Sequence, residues 1–255
     1  MQFSANNRAI SQGTPEIRSQ DQAASHPNNR RPFQDPLSLF SRGLSKLYSV
    51  WVSRAYPFAS IGRDVRFHFT TKVSRQRAGR ISLGDGVTFL DRTWLNPATD
   101  EPNGEPTIIL EAGCHIGFDS ILSGKNCIHL ERDVLVGQQV VIQDHSHAYE
   151  DLDVPIIKQG ITDGGRIRIG EGSWIGRGAA ILCSRGELAI GRHCVVCANS
   201  VVTRSIPDYS VVFGTPAIII RQYDPEKGKW RMAQVRRTHS SDHKMAVSER
   251  AVLTE

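Results

Sequence analysis

The chain has 255 residues, of which 39% are hydrophobic and 22% charged, with 31 Lys+Arg against 26 Asp+Glu and a formal net charge of +5. This balance predicts a soluble globular protein with a sizeable core, and so small a positive excess argues against nucleic acid as a partner. No apolar run approaches the ~18 residues of a membrane span, and residues 1–34 hold no apolar stretch typical of a secretory signal. We therefore expect a cytoplasmic protein.

Residues 1–35 are rich in Ser, Gln, Asn, Arg and Pro, which predicts a disordered segment. Over 36–58 apolar residues recur at spacings of three and four, and Asp35-Pro36 is typical of an N-cap followed by proline at the first helical position. The amphipathic helix predicted here either packs on the body or on a neighbouring subunit, or lies at a membrane surface through residues 36–55 with its basic side chains toward the headgroups. Its apolar positions are Leu37, Phe40, Leu44, Leu47, Tyr48 and Trp51.

From about residue 61 to residue 202, an aliphatic residue recurs every six positions, often followed by glycine. A period of six fits neither the 3.6 of a helix nor the 2.0 of a strand. It is typical of short strands separated by corners, stacked as the coils of a β-solenoid around an aliphatic core. Four runs carry the pattern: Leu110, Ile116, Leu122; Leu130, Val136, Ile142; Ile169, Ile175, Ile181; and Ile190, Val196, Val202.

Three interruptions break this spacing, within 124–129, within 183–188 and, as a long excursion, over about 145–167. Loops inserted into a rigid solenoid commonly carry the binding surface. We expect the solenoid domain to cover 59–222.

The remaining residues, 223–255, form a charged tail. We expect it to be helical at first, around Trp230 and Met232, and then disordered.

Beyond the repeat, an ordered set of motifs resembles the hexapeptide-repeat acyltransferases, and among them the galactoside, maltose and polysaccharide O-acetyltransferases. The resemblance covers about residues 60–222 and implies an all-β left-handed parallel β-helix. It also implies a homotrimer that binds acetyl-CoA between subunits and transfers the acetyl group to a saccharide or saccharide-linked hydroxyl. The motifs are Asp144-His145-Ser146-His147, Ser173-Trp174-Ile175-Gly176, Ser200-Val201-Val202-Thr203, Ile206-Pro207 and Gly214-Thr215-Pro216-Ala217.

The catalytic base of the family is a histidine at the start of its long loop, and the position that matches it, counted without gaps from Ile142, is His147. A two-residue error in register would transfer the role to His145. Imidazole suits the chemistry because its pKa of about 6.5 allows it to take a hydroxyl proton near neutral pH and return it to the leaving thiolate. Asp144 or Glu150 could orient the ring.

The resemblance also implies residues that contact the coenzyme. Trp174 matches a tryptophan that lies beside the acetyl group and the acceptor. Ala198, Thr203, Arg204 and Arg221 match positions that line the coenzyme groove. Ile218 stands where the family has a further cation, so one phosphate contact is in doubt.

Other functions stay open at this point. The same class includes N-acetylation of an amino sugar and acetylation of a xenobiotic. A zinc-dependent hydratase of the carbonic-anhydrase type would need three converging histidines, and a non-catalytic scaffold would need none. We expect no metal, because Cys194 and Cys197 lack a second pair at zinc-finger spacing and the five cysteines are typical of reduced thiols. The candidates for a zinc site are His115, His129, His145 and His147.

Overall fold

The computed structural model describes residues 36–99, 101 and 104–233. The disorder predicted for 1–35, the Asp35 cap and the end of the tail lie outside these residues. Helix α1 covers Pro36–Ala55, a 3-10 helix covers Arg75–Arg80, and a one-turn helix α2 covers Ile156–Gln159. In the described part of the chain, no helix has the length and apolar character needed to cross a membrane.

Twenty-one strands follow α1, most of them two to six residues long. In chain order they are β1 (Ser60–Ile61), β2 (Arg66–Phe67), β3 (Lys72–Val73), β4 (Ile81–Leu83), β5 (Thr88–Phe89), β6 (Trp94–Pro97), β7 (Ile108–Leu110), β8 (His115–Ile116), β9 (Ile121–Gly124), β10 (Cys127–Leu130), β11 (Leu135–Val136), β12 (Val141–Gln143), β13 (Gly164–Ile169), β14 (Trp174–Ile175), β15 (Ala180–Leu182), β16 (Arg185–Ile190), β17 (Val195–Val196), β18 (Val201–Val202), β19 (Ser210–Gly214), β20 (Ala217–Asp224) and β21 (Lys229–Met232).

These strands build three sheets, and each coil of the chain contributes one strand to each sheet. The first sheet has the order β1-β4-β7-β10-β13-β16, the second begins β2-β5-β8-β11-β14-β17-β19, and the third is β3-β6-β9-β12-β15-β18. Every pair between consecutive coils is parallel. The expected fold class, a left-handed parallel β-helix, is confirmed.

The core is a set of three aliphatic columns, one behind each sheet. In the third sheet Leu122, Ile142, Ile181 and Val202 occupy one register position on successive coils, and each is at most 1% exposed. All twelve residues of the four hexad runs are buried in the same way. Burying one such side chain stabilises the fold by roughly 1.5–3 kcal/mol, so the repeated hexads provide the continuous core of the solenoid.

Glycine follows the inward aliphatic residue where neighbouring coils approach most closely. A Cβ on Gly176 would lie 2.7 Å from the backbone nitrogen of Ala198 and 2.7 Å from the carbonyl oxygen of Val196. No side chain fits at that separation, which explains the recurrent Ile-Gly pair as a requirement of coil stacking.

The C-terminal tail differs from its prediction. Residues 229–232 form strand β21, antiparallel to β20, so the expected helix around Trp230 and Met232 is wrong, and the domain boundary expected at 222 falls inside β20. The turn between the strands contains Gly228 at φ +60°, where glycine is favoured. The two-residue spacing of Trp230 and Met232 is also a strand period, and Arg231 pairs with Asp224 across the hairpin at 2.8 Å.

Candidate active site at the mouth of the excursion loop

The long excursion leaves the solenoid after β12 and returns at β13, so it spans residues 144–163; it begins one residue earlier and ends four residues earlier than predicted. Asp144 is the first residue of the excursion; its side chain is fully buried and binds the neighbouring coil. Its carboxylate accepts backbone N–H bonds from Lys125 at 2.7 Å, Asn126 at 2.8 Å and Cys127 at 2.9 Å. Because an ionised carboxylate is an acceptor only, three converging donors suit it. Asp144 therefore anchors the mouth of the loop.

His145 lies next to this anchor and is almost buried, with 9% of its side chain exposed. Its Nδ1 is 3.1 Å from Oδ1 of Asp144, which orients the ring. The ring also lines a groove of about 370 Å³ between the excursion and the corner that follows β15. The other groove residues are Gln143, Ser146, Leu182, Cys183, Ser184, Arg185, Glu187, Leu188 and Thr203.

His147 is exposed and lies two residues further along the excursion. Its Nδ1 is 3.3 Å from the carbonyl oxygen of Gly160, and its backbone forms an antiparallel bridge with Ile161. A hydrogen on Nδ1 donated to that carbonyl leaves Nε2 as the ring nitrogen that accepts a proton. Thus His147 is exposed and its ring contacts one backbone carbonyl, whereas the ring of His145 is oriented by a carboxylate inside a groove.

The rest of the excursion is held together by its own side chains. Gln159 donates to the carbonyl oxygens of Asp151 at 2.8 Å and Val154 at 2.6 Å, and accepts from the backbone N–H of Asp151 at 3.2 Å. Backbone N–H groups of Tyr149 and of Glu150 itself lower the pKa of the Glu150 carboxyl. These contacts show that Gln159 and Glu150 hold the shape of the loop. Of the two carboxylates expected to orient a histidine of the excursion, Asp144 is the one that contacts such a ring.

Trp174 lies on a different face of the solenoid from the two histidines. It belongs to β14 in the second sheet, where it is aligned with Leu135 of β11 and Val195 of β17. Its side chain is 50% exposed and that of Leu135 is 45% exposed. Among the described residues of one chain, no hydrogen bond or ring contact joins Trp174 to His145 or His147.

The residues expected to contact a coenzyme also lie in different parts of the structure. Thr203 lies in the groove with His145. Ala198 and Arg204 are exposed at corners of the last coils. Arg221 lies on β20, with its guanidinium carbon 6.0 Å from the ring centre of Trp230. A single chain therefore brings Thr203, and none of the other expected coenzyme residues, into the groove at the histidine mouth.

Sequence reasoning missed Arg185 and Glu187, the charged residues of this groove. They lie within the interruption of the hexad spacing at 183–188, so a signal was present: an insertion one coil after the excursion, at the same corner. Two insertions at the same corner of adjacent coils lie side by side, which predicts that they line one groove together.

The candidate zinc ligands are dispersed. His115 lies on β8 in the second sheet, and His129 lies on β10 in the first sheet with Nε2 2.9 Å from Glu111. Within the described ranges, no three His, Cys, Asp or Glu side chains of one chain form a group suited to a metal ion. Cys194 is buried with Sγ 3.1 Å from the Pro207 carbonyl, and the five thiols are free.

Comparison with known proteins gives relatives of one kind. The chain is 30% identical over 168 residues to a probable acetyltransferase of Mycobacterium tuberculosis, covering 63% of this chain and 49% of the relative. It is 34% identical over 112 residues to the putative lipopolysaccharide biosynthesis O-acetyltransferase WbbJ of Escherichia coli, covering 42% and 56%. It is also 31% identical over 136 residues to a putative acetyltransferase of Saccharomyces cerevisiae, covering 51% and 68%. The chain spans about half the length of the first two relatives.

Among solved structures, a variant of the N-acyltransferase AntD from Bacillus cereus, in complex with dTDP and coenzyme A, is similar in fold. The TM-score is 0.56 at 18% identity, covering 70% of this chain and 90% of that chain. No family model matches the chain. The stacked hexads, the motifs along the last coils and the similarity to the yeast acetyltransferase over two thirds of its length lead to one conclusion: the chain belongs to the hexapeptide-repeat acyltransferases.

Proposed function

We propose that this protein transfers an acetyl group from acetyl-CoA to a hydroxyl of a saccharide or saccharide-linked acceptor, with His147 as the general base. The observation that carries the proposal is the pair of histidines at the mouth of the one long excursion, each oriented through Nδ1 by a fixed acceptor. The named acetyltransferase relatives support acetyl-CoA as the donor. The Escherichia coli relative, whose name refers to lipopolysaccharide biosynthesis, supports a saccharide acceptor.

The reaction requires one proton to move twice. Nε2 of His147 takes the proton of the acceptor hydroxyl as its oxygen attacks the thioester carbonyl carbon. The tetrahedral oxyanion then collapses, the C–S bond breaks, and the imidazolium returns the proton to the thiolate. The carbonyl oxygen of Gly160 accepts from Nδ1 of His147, which keeps the ring in the tautomer that these proton transfers need.

The groove beside the mouth sets a limit on what one chain can hold. At about 370 Å³ it lies at the small end of ligand pockets, which run from roughly 300 to 1,000 Å³. Such a groove suits the acyl end of the coenzyme or one sugar ring, and the rest of the coenzyme needs a further surface. A homotrimer in which the Trp174 face of one subunit adjoins the mouth of the excursion of the next would supply it, with Ala198 and Arg221 on that second surface. Arg204 follows β18, at the corner that carries the histidines.

The test is acceptor-dependent release of free thiol from acetyl-CoA, measured with a panel of saccharides and amino sugars. His147→Ala should lower the rate by about 10²–10⁴-fold, the contribution of a positioned base. His193→Asn serves as the matched control, because His193 is exposed on a corner with φ +49°, a conformation that asparagine tolerates.

Three outcomes would change the proposal. Loss of activity in His145→Ala with retention in His147→Ala would move the base to His145. Transfer to an amino sugar alone would make the enzyme an N-acetyltransferase. Absence of both acetyl-CoA binding and thiol release would overturn acyl transfer altogether.

A further inference from the structure

Helix α1 presents its apolar stripe to the outside of the protein. Phe40, Leu44, Leu47 and Trp51 follow one another at spacings of four, three and four, so they share one face of the helix. Their exposed fractions are 72%, 37%, 72% and 55%. An amphipathic helix on a globular protein normally turns this face to the core. Here Trp51 contacts the rings of Tyr48 and Tyr56, and the stripe otherwise stays exposed on the described chain.

A different face of α1, which carries serines together with Val52, is the one fixed to the solenoid. Oγ of Ser49 accepts a hydrogen bond from the backbone N–H of Phe67 at 2.8 Å and lies 3.0 Å from its carbonyl oxygen. Oγ of Ser41 is 3.2 Å from Nε2 of His68. Val52 is fully buried beside them. Ser49 pairs the open edge of β2 and Ser41 adds a contact with the ring of His68, so this face of α1, and not its apolar stripe, is held against the first coil.

Helix α1 is positively charged as a whole. It contains Arg42, Lys46 and Arg54 and not one Asp or Glu. Arg54 lies beside the stripe, three residues after Trp51, whereas Arg42 and Lys46 lie on the side of the helix away from it. All three, with Asp64 and Arg66, line a cavity of about 680 Å³ between α1 and the first coils. A helix with three cations, no acid and an exposed apolar stripe flanked by Arg54 is attracted to a surface that is apolar and anionic.

We propose that α1 docks this protein onto an anionic lipid bilayer. Phe40, Leu44, Leu47 and Trp51 enter the boundary between headgroups and acyl chains, and Arg54 beside them binds lipid phosphate. A second copy of α1 is the less favourable occupant, because it would pair two helices that each carry three cations and no acid, with the two Arg54 side chains beside the contact.

The experiment is co-sedimentation of the full chain with vesicles of phosphatidylcholine alone and of phosphatidylcholine mixed with phosphatidylglycerol. Binding should require phosphatidylglycerol and weaken with salt. Leu47→Glu should reduce partitioning at least ten-fold, since burial of a leucine side chain corresponds to roughly 10–100-fold. Replacing Arg54 by Gln should reduce it by roughly five-fold.

Leu152→Glu is the matched control, because Leu152 is 95% exposed on the excursion and lies outside α1. Circular dichroism and light scattering report fold and oligomeric state for each variant. The proposal is overturned if the wild-type protein leaves both vesicles unbound, or if Leu152→Glu weakens binding as much as Leu47→Glu. A wild-type oligomer that avoids vesicles and dissociates in Leu47→Glu would instead identify the stripe as a subunit contact.

Discussion

Replacing Asp144 by asparagine tests the anchor on which the candidate site depends. The substitution keeps the size of the side chain and removes its charge. In the native protein Oδ2 accepts from the backbone N–H groups of Asn126 and Cys127, and Oδ1 accepts from that of Lys125 while it contacts His145. An asparagine oxygen can keep two of these donors, but its NH2 group then faces the third.

The expected change in the free energy of unfolding follows from the number of hydrogen bonds that are lost or weakened. One backbone N–H left without an acceptor in a fully buried position costs about 1–3 kcal/mol, and the two surviving bonds lose their charge-assisted part, about 1 kcal/mol each. Removing a buried charge returns part of its desolvation cost. We therefore expect Asp144→Asn to lower the free energy of unfolding by about 2–4 kcal/mol, and Asp144→Ala, which leaves all three donors unpaired, to lower it further.

Urea denaturation followed by far-ultraviolet circular dichroism, at one protein concentration, measures the change. Asp163→Asn is the control, since Asp163 is an exposed acid of the same excursion and its replacement should stay within about 0.5 kcal/mol. If Asp144→Asn is as stable as Asp163→Asn, the carboxylate does not hold the neighbouring turn, and the account of the loop mouth fails.

Three further predictions concern the solenoid and its first helix. Ser49→Ala should lower the free energy of unfolding by about 1–3 kcal/mol in the same assay, because it leaves the edge of β2 without its hydroxyl partner. Gly176→Ala should cost about 1–3 kcal/mol through its contact with the backbone of Ala198, whereas Gly43→Ala, with nothing within 4 Å, should be neutral or stabilising; equal values would contradict the stacking argument. Burial raises the pKa of the Cys114 thiol to about 12, so iodoacetamide should modify this thiol only after unfolding. The stability that the buried neutral thiol contributes should be complete below about pH 9 and be lost as the pH rises toward 12. Labelling of Cys114 in the native protein, read by mass spectrometry, would refute this.

The solenoid could be predicted because its signal is one-dimensional. A coil repeats the same inward position every six residues, so Ile169, Ile175 and Ile181 reveal three faces of one turn without any knowledge of distant contacts. Helix α1 was predictable as a helix for the same reason, but not which face it would bury. Hydrophobic periodicity assumes that the apolar face is inside, and here the serine face pairs a strand edge instead.

The C-terminal hairpin and the partners of the site residues could not be predicted from the sequence, because both depend on contacts between segments that are separated along the chain. Trp230 at a two-residue spacing from Met232 fits a strand as well as a short amphipathic helix, and the choice depends on pairing with β20. The sequence identifies His145 and His147 as neighbours on a loop. It does not reveal that Asp144 is buried under three backbone donors, because those donors come from a turn seventeen to nineteen residues earlier.

The two proposals together predict where the acceptor lies. Helix α1 contacts β2 in the first coil, and the excursion leaves the solenoid after β12, which is three strands from β3 in the order β3-β6-β9-β12. At about 4.8 Å per strand, the histidine mouth is about 14 Å along the stack from the coil that carries the docking helix. A saccharide linked to a membrane lipid would therefore reach the mouth by extending from the bilayer along the solenoid. Leu47→Glu should then keep its rate with a soluble saccharide and lose rate with the same saccharide on vesicles. Equal loss with both acceptors would mean that α1 acts on the fold or the assembly, and equal retention would mean that docking has no part in catalysis.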